Sequence, residues 1–575
     1  MLTLPRLAVS AAPRSCQKSV LAGALACTLL LPSMASANVM VHLFEWRWAD
    51  IARECETYLG PKGFTAVQVS PPQAHIPGPQ WWTRYQPLSY RLESRSGNRS
   101  EFIDMVQRCR AVDVDIVVDM VINHMAAGRL NFPDVPYGPN DFHERNCTGI
   151  NYRNADEVWN CDLVGLKDLR TENAYVRGKI VDYFNDLTNI GVKGFRIDAA
   201  KHIPPGDVAA IVNSLNGDPY VFLEVIRAQG EAIQPEDYVS IADVTEFAME
   251  RDLAYNFRNG TIANLIDFSR WSGRVDSSQA LSFVANHDDQ RQHPEYTLSY
   301  KDPQGMYYLA NTFMLAYPYG YARLMSSYYF NDENQGPPVS GVHSGNSCSD
   351  GDWVCEHRWG GTGNMVKFRE VTASNWFTSD VTTDGPNRLA FGRGGLGYVA
   401  LNNRTDAWNT VVQTGMPSGE YCDVMHGDYD NGLCSGPTIV VDGSGYAAIA
   451  VNGRDAIAIH QQSLIGGPNT GPDPDPGNGL AAVELSCDGG QTVFGQSVYA
   501  VGSVSELGSW SPAAAVKLEP TAYPRWTATV DLPAQTSIEW KCLKRSETDP
   551  AQQLQWQGGA NNRVDIGANS AAGSF

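Results

Sequence analysis

At 575 residues the chain is too long for one ordinary core and implies two to four domains. Hydrophobic residues at 43% and charged residues at 18% describe a soluble globular protein rather than a disordered or membrane-embedded one. A formal net charge of −20 excludes nucleic acid as the natural partner and suits a neutral substrate. Residues 1–37 carry Arg6, Arg14 and Lys18 and no acid, run through the apolar stretch 20–31, and end in Ala35-Ser36-Ala37. That is a secretory signal with an Ala-x-Ala cleavage site, too short and wrongly flanked for a membrane anchor. The mature chain would begin at Asn38 with a charge of −23 and ten of the twelve cysteines, an even number in an oxidising compartment.

Short β-rich runs at 39–44, 66–70 and 116–122 alternate with helical patterns, which predicts parallel βαβ units. After His124 a loop-rich insert at 125–164 interrupts the alternation. Val176, Ile180, Phe184 and Leu187 then predict an amphipathic helix over 174–190, capped by Gly191. Next comes Gly194-Phe195-Arg196-Ile197-Asp198-Ala199-Ala200-Lys201-His202, an apolar strand with an arginine and a carboxylate near its C-terminal end. A helix, a tight turn and such a strand fit one repeat of a (β/α)₈ barrel, whose catalytic face is the C-terminal end of its strands. Taken alone, the nonapeptide reads equally well as a buried Arg–Asp ion pair.

Three more segments break that tie: Asp119-Met120-Val121-Ile122-Asn123-His124, Phe222-Leu223-Glu224-Val225-Ile226 and Phe283-Val284-Ala285-Asn286-His287-Asp288. Together with the nonapeptide, and in this order, they resemble the four signature regions of the α-amylase family of glycoside hydrolases. Trp81-Trp82-Thr83-Arg84-Tyr85-Gln86-Pro87 and Val354-Cys355-Glu356-His357-Arg358-Trp359 bring the resemblance nearest to the animal-type subgroup, over residues 38–462. It implies a barrel at 38–124 and 165–375, an inserted B domain at 125–164 and a β-sandwich at 376–462. It also implies disulfides Cys55–Cys109, Cys147–Cys161, Cys348–Cys355 and Cys422–Cys434, leaving Cys487 and Cys542 to pair with each other.

By the same resemblance Asp198 is the nucleophile, Glu224 the general acid/base and Asp288 the third carboxylate. Retaining hydrolysis needs the first two roughly 5 Å apart, which the ends of consecutive strands allow. Arg196 would keep Asp198 ionised, and the apolar neighbours of Glu224 would raise its pKa. His124 and His287 match histidines that hold the same sugar, although a histidine at a strand end is more often structural. Trp81, Trp82 and Tyr85 would form an aromatic platform, with ordinary loop packing the alternative for one tryptophan, and Gln86 and Lys201 would read hydroxyls. Asn123, Asp168 and the carbonyls of Trp159 and His202 match Ca²⁺ ligands, an oxygen-rich set. Animal-type enzymes also bind chloride, through equivalents of Arg196 and Asn286 and a further basic residue. That third position falls on Tyr329, which speaks against chloride.

A Pro/Gly linker at 463–480 leads into a β-rich module at 481–575. Its Leu507-Gly508-Ser509-Trp510, Glu539-Trp540-Lys541 and Trp556 resemble the family 20 starch-binding modules. That implies one site of Trp510, Lys541 and Trp556 and a second that includes Tyr499. The reading is a secreted, monomeric, calcium-binding α-amylase that cuts internal α-1,4 bonds of starch, glycogen and maltooligosaccharides with retention. Its rivals are an exo-acting or transglycosylating enzyme with the same residues, and a non-catalytic carbohydrate-binding protein.

Overall fold

The computed structural model describes residues 39–575 except 146, 304, 344–347, 349–350, 467–479, 494, 534–537, 548–549, 551 and 565–569. The leader expected at 1–37 and most of the linker expected at 463–480 lie outside the described residues. The chain divides into a unit ending at Asn469 and a second beginning at Thr470.

In the first unit, eight parallel strands close into a barrel: β1 (Val39–Leu43), β2 (Ala66–Val69), β3 (Asp115–Met120), β4 (Gly194–Ile197), β5 (Tyr220–Leu223), β6 (Asp243–Thr245), β7 (Ala280–Phe283) and β8 (Tyr321–Ser326). Each strand lies beside its neighbours in sequence, and β8 closes on β1. The period of two in a strand sorts the side chains. Met40, Ala66, Val117, Phe222 and Leu281 fill one interior layer, while Val41, Val67, Val118 and Phe195 join the core outside the strands. The next interior positions toward the C-terminal end are polar: His42, Gln68, Asp119, Arg196 and Arg323 are all buried.

Helices α1 (Trp48–Glu54), α2 (Arg99–Arg110), α3 (Ala174–Ile190), α4 (Pro205–Val212), α5 (Phe247–Asn259), α6 (Met306–Ala316) and α7 (Asn364–Val371) belong to this unit. Helix α3 has the bounds its spacing predicts. The Asn173 side chain accepts the Tyr175 N–H at its start, and Gly191 ends it at φ +118°, a conformation that suits glycine. Between β3 and α3 the chain makes an excursion, closed at its base by pairing of His124–Met125 with Lys167–Asp168.

Eight further strands make two four-stranded antiparallel sheets around a core that includes Tyr398, Trp408, Tyr421 and Ile459. The second unit packs two antiparallel-rich sheets around Leu485, Trp526, Trp540 and Ile538. The four cysteine pairs implied by resemblance all form, and the remaining pair, Cys487–Cys542, joins the two sheets of the second unit.

One buried carboxylate anchors the loop that follows β8. Glu54, at the end of α1, accepts from His357 Nε2 at 2.8 Å and from Arg358 at 2.6 and 2.5 Å, with His343 Nε2 at 3.1 Å. Burial opposes its charge, but these three partners outweigh burial and hold its pKa well below the usual carboxylate range. A depressed carboxyl pKa stabilises the fold above the unfolded pKa, and that stability is lost as pH falls toward the folded value. Glu54→Ala should therefore cost on the order of 3 kcal/mol at pH 7, the lower end of buried-pair values because Arg358 stays partly exposed. The deficit relative to the parent should shrink below about pH 4. Denaturant melts of both proteins at pH 7 and pH 3 measure it, and an equal gap at both would refute the charge argument.

Candidate active site

The site lies where the interior of the barrel opens at the C-terminal ends of β3, β4, β5 and β7. Arg196, the third residue of β4, is buried and holds three carboxylates at once. Its Nη1 donates to Asp119 Oδ1 at 2.5 Å and to Asp198 Oδ1 at 3.0 Å, and its Nη2 lies 2.5 Å from Glu224 Oε1. Asp198 stands one residue past β4 and Glu224 one past β5, so each carboxylate sits where the strand hands over to a loop. Ala199 follows at φ +47°, a left-handed conformation that is strained for alanine, and its N–H donates to Glu224 Oε2 at 2.8 Å. The strain therefore aims a backbone donor at the carboxylate.

Asp119 also accepts from Tyr85 at 2.9 Å, and the Tyr85 ring stacks on His287 at 5.2 Å between centroids. His287 Nε2 lies 3.3 Å from Asp288 Oδ2, and Phe44 stacks on the same imidazole at 4.9 Å. His124 reaches the Tyr85 carbonyl through Nε2 at 3.0 Å. Burial lowers the His124 pKa to about 4, and burial with Arg196 lowers that of His287, so both rings are neutral at pH 7. The Trp81 and Trp82 indoles donate to Glu333 O at 2.8 Å and to Asn334 Oδ1 at 3.0 Å, which ties their loop to the one after β8. Gln86 Oε1 accepts the Ala127 N–H at 3.3 Å, and the Lys201 ammonium is held by Ile226 O and Glu231.

Two electrostatic expectations need correction. Arg196 does not simply keep Asp198 ionised. Burial pushes the Asp198 carboxyl well above its ordinary range, Arg196 pulls it down, and Glu224, Asp119 and Asp288 add repulsion. Asp288 is likewise raised to about 8 by burial and then by Glu224. One guanidinium compensates too little for this carboxyl set, so the cluster holds protons into the neutral range, and they belong to the set rather than to a single residue. Nor are the sequence neighbours of Glu224 its surroundings. Strand alternation turns Leu223 into the core outside the barrel, and the carboxylate meets Arg196 and Ala199 instead.

Tyr329 is 46% exposed and packs edge-on against Tyr300 at 4.8 Å, away from the buried arginines. Arg323 on β8, which sequence reasoning passed over, points into the barrel and is buried. Its Nη1 donates to Gln68 Oε1 at 2.8 Å, and no carboxylate pairs with it among the described residues. Its Nε, both nitrogens of His42 and Nε2 of Gln68 are buried without hydrogen-bond partners. Burial and the charge of Arg196 lower its pKa to about 10.

The residues expected to hold calcium fall in two groups, the Asn123 and Asp168 segments at the base of the excursion and the Trp159 and His202 segments. His124 pairs with Asp168, the Leu169 N–H donates to Asn123 O at 2.9 Å, and His202 Nδ1 donates to Val158 O at 3.0 Å beside Trp159. Asp168 is buried with His143 Nδ1 at 2.6 Å, and burial raises its pKa to about 7. The other metal-like group among the described residues, Cys147, Glu157 and Cys161, is closed by the Cys147–Cys161 disulfide.

In the second unit, Tyr499 and Leu543 are paired across two strands, as are Val501 and Lys541, and Trp510 packs against the cluster they form. Trp556 pairs with Leu543 and is half-exposed, so Trp510, Lys541 and Trp556 share one face. Lys541 Nζ donates to Gln557 O at 3.2 Å and Gly559 O at 2.7 Å, which pins the loop after Trp556. Tyr499 is a correction: it is 4% exposed, with the Arg545 guanidinium 3.7 Å from its ring centre, and offers no free face to a sugar. Tyr523, 56% exposed, presents a ring that the sequence reading missed.

Three family models match the chain. They are the alpha amylase catalytic domain over 57–314, the alpha amylase C-terminal all-beta domain over 379–462 and the starch binding domain over 480–575. An alpha-amylase of Thermomonospora curvata is 42% identical over 548 residues, covering 89% of each chain. One of Tribolium castaneum is 44% identical, covering 76% of this chain and 96% of its own. The crystal structure of a mutant of alpha-amylase I from Eisenia fetida in complex with maltohexaose superposes with a TM-score of 0.69 at 38% identity, over 74% of this chain and 97% of that one.

Proposed function

The chain belongs to the α-amylase family, and from that premise we propose that it hydrolyses internal α-1,4-glucosidic bonds of starch, glycogen and maltooligosaccharides with retention of configuration. The observation that carries this reading is the single Arg196 guanidinium bonded to both Asp198 and Glu224. Such a bridge supports the short carboxyl separation, roughly 5–5.5 Å, that a retaining double displacement uses. Asp198 attacks C1 as Glu224 gives its proton to the departing glycosidic oxygen, leaving a glycosyl ester on Asp198. Water then attacks C1, Glu224 takes a proton from that water, and the ester bond breaks to free Asp198. Asp288, with His124 and His287, holds the same sugar and steadies the positive charge of the transition state. Tyr85, Trp81 and Trp82 supply ring faces on one side of the cleft, and Gln86 and Lys201 shape its walls. Asp198→Asn and Glu224→Gln should each fold and each lose at least ~10²–10⁴-fold in kcat. A reducing-sugar assay with soluble starch reads this, and half of parental turnover in either variant would refute the assignment.

The oxygen donors of Asn123 and Asp168 with the Trp159 and His202 carbonyls fit Ca²⁺, because a buried carboxylate with one imidazole partner gains from a cation. Bound there, calcium would supply a structural cross-link between the excursion and the β4 loop. The unpaired buried guanidinium of Arg323, next in charge to Arg196, fits a small anion in the same way. Excess chelator should lower the melting temperature and activity, with Ca²⁺ restoring both. Chloride-free buffer should lower kcat reversibly in the parent and leave Arg323→Gln unaffected. An unchanged melt in chelator removes the calcium claim, and an unchanged kcat without chloride removes the anion.

The five disulfides and the composition of residues 1–37 support export to an oxidising compartment. The second unit would hold granular starch through Trp510 and Trp556, with Lys541 fixing their loop and Tyr523 as a further contact. Truncation at Gly471 should spare hydrolysis of soluble oligosaccharides and reduce adsorption to granules, since the Trp510 and Trp556 ring faces would no longer stack on glucan. Tyr523→Ala should weaken adsorption where Tyr499→Phe does not. Granule binding that survives truncation would overturn this role.

A further inference from the structure

Asp288 projects from a loop whose shape is set by Asn286. The Asn286 Oδ1 accepts the N–H groups of both Asp288, at 2.7 Å, and Asp289, at 2.9 Å. Its Nδ2 lies 3.1 and 3.2 Å from the two carboxyl oxygens of Glu250 and 3.1 Å from Asp289 Oδ2. Both hydrogens and both lone pairs of this amide are therefore used. Glu250, on α5, is wholly buried, and Asn286 and Asp289 are nearly so. None of the four signature segments contains Glu250 or Asp289.

We propose that Glu250 is a positioning residue for the reaction: the carboxyl pair it makes with Asp289 grips Asn286, and Asn286 fixes the backbone that carries Asp288. The proposal rests on the reading of Asp288 as the third carboxylate of the site. Two carboxyl groups buried side by side cannot both ionise, so the pair keeps one proton between them. Burial and the neighbouring Asp289 both push the Glu250 carboxyl well above its ordinary range. The other groups that face it do not replace this arrangement. Thr297 is a neutral hydrogen-bond partner, Arg251 on the same helix pulls only weakly, Tyr307 of α6 is a phenol, and the charge of Arg323 on β8 acts without direct contact. A singly protonated pair accepts from the amide nitrogen and carries no second charge that would push Asp288 away.

The test compares Glu250→Ala, Glu250→Gln and Asp288→Asn in the full-length chain with a maltooligosaccharide, reading kcat and KM separately alongside the melting temperature. Glu250→Gln keeps a neutral acceptor for Asn286 and a donor for Asp289, so it should retain at least about half of kcat. Glu250→Ala should lose about ten-fold or more in kcat with KM within about two-fold, because a loosened loop misplaces a group that acts in the transition state. Parental kcat in Glu250→Ala, or equal losses in the alanine and glutamine variants, would overturn the proposal. Should the alanine variant not fold, Asn286→Ser probes the same link and should show the same kcat loss at unchanged KM, with parental kcat again overturning it. Asp288→Asn separates the two readings: if it keeps parental turnover the assignment of Asp288 fails, and if it is inactive while Glu250→Ala is unaffected only the Glu250 inference fails.

Discussion

One buried guanidinium sets the terms for the rest of the catalytic unit. Arg196 meets Asp119, Asp198 and Glu224 within 3.0 Å, inside a barrel whose interior also holds the apolar cluster of Met40, Ala66, Val117, Phe222 and Leu281. Three carboxylates at that depth would repel one another strongly, and a single cation lets them coexist. The arrangement leaves the carboxyl set short of positive charge. That shortage is useful to chemistry in which one carboxyl must give a proton near neutrality while another stays free to attack. It also explains why neutral histidines rather than cationic ones line the same wall, since burial and Arg196 both disfavour a further positive charge on His287.

The architecture was largely legible in the sequence because it rests on local periodicities. Helix α3 carries its own start in Asn173, its stripe in Val176, Ile180, Phe184 and Leu187, and its stop in Gly191. The strands at 39–43 and 66–69 likewise follow from short apolar runs between helical patterns. The carboxylates at the strand ends were legible through their motifs. The proposed calcium donors come from resemblance, and local hydrogen bonds place Asn123 beside Leu169 and His202 beside Val158.

What stayed hidden depends on strand parity and on distance along the chain. β8 ends at Ser326, so Tyr329 falls in the loop beyond it, and an apolar run followed by tyrosines does not show where the strand stops. Strand parity hides Tyr499, turned into the second unit beneath Arg545, while Tyr523 is left outside. Asp119 opened a recognised segment, yet its bonds to Tyr85 and Arg196 span 34 and 77 residues. Glu250 stands 36 residues from Asn286 in an amphipathic helix, where a buried acid leaves no mark in the spacing. Long-range polar contacts of this kind come from the closed barrel and not from any stretch of sequence.

Ala199 carries a further consequence for anyone seeking a hardier form of this enzyme. Its φ of +47° is a conformation that glycine adopts freely, so on backbone grounds alone glycine is the better residue there. Yet the same dihedral directs the N–H that Glu224 accepts, and a looser chain at this point would blur the aim of the group proposed to deliver the proton. Robustness and catalytic power are thus set against each other at a single torsion angle, and a search that rewards heat tolerance alone would be drawn to the wrong residue.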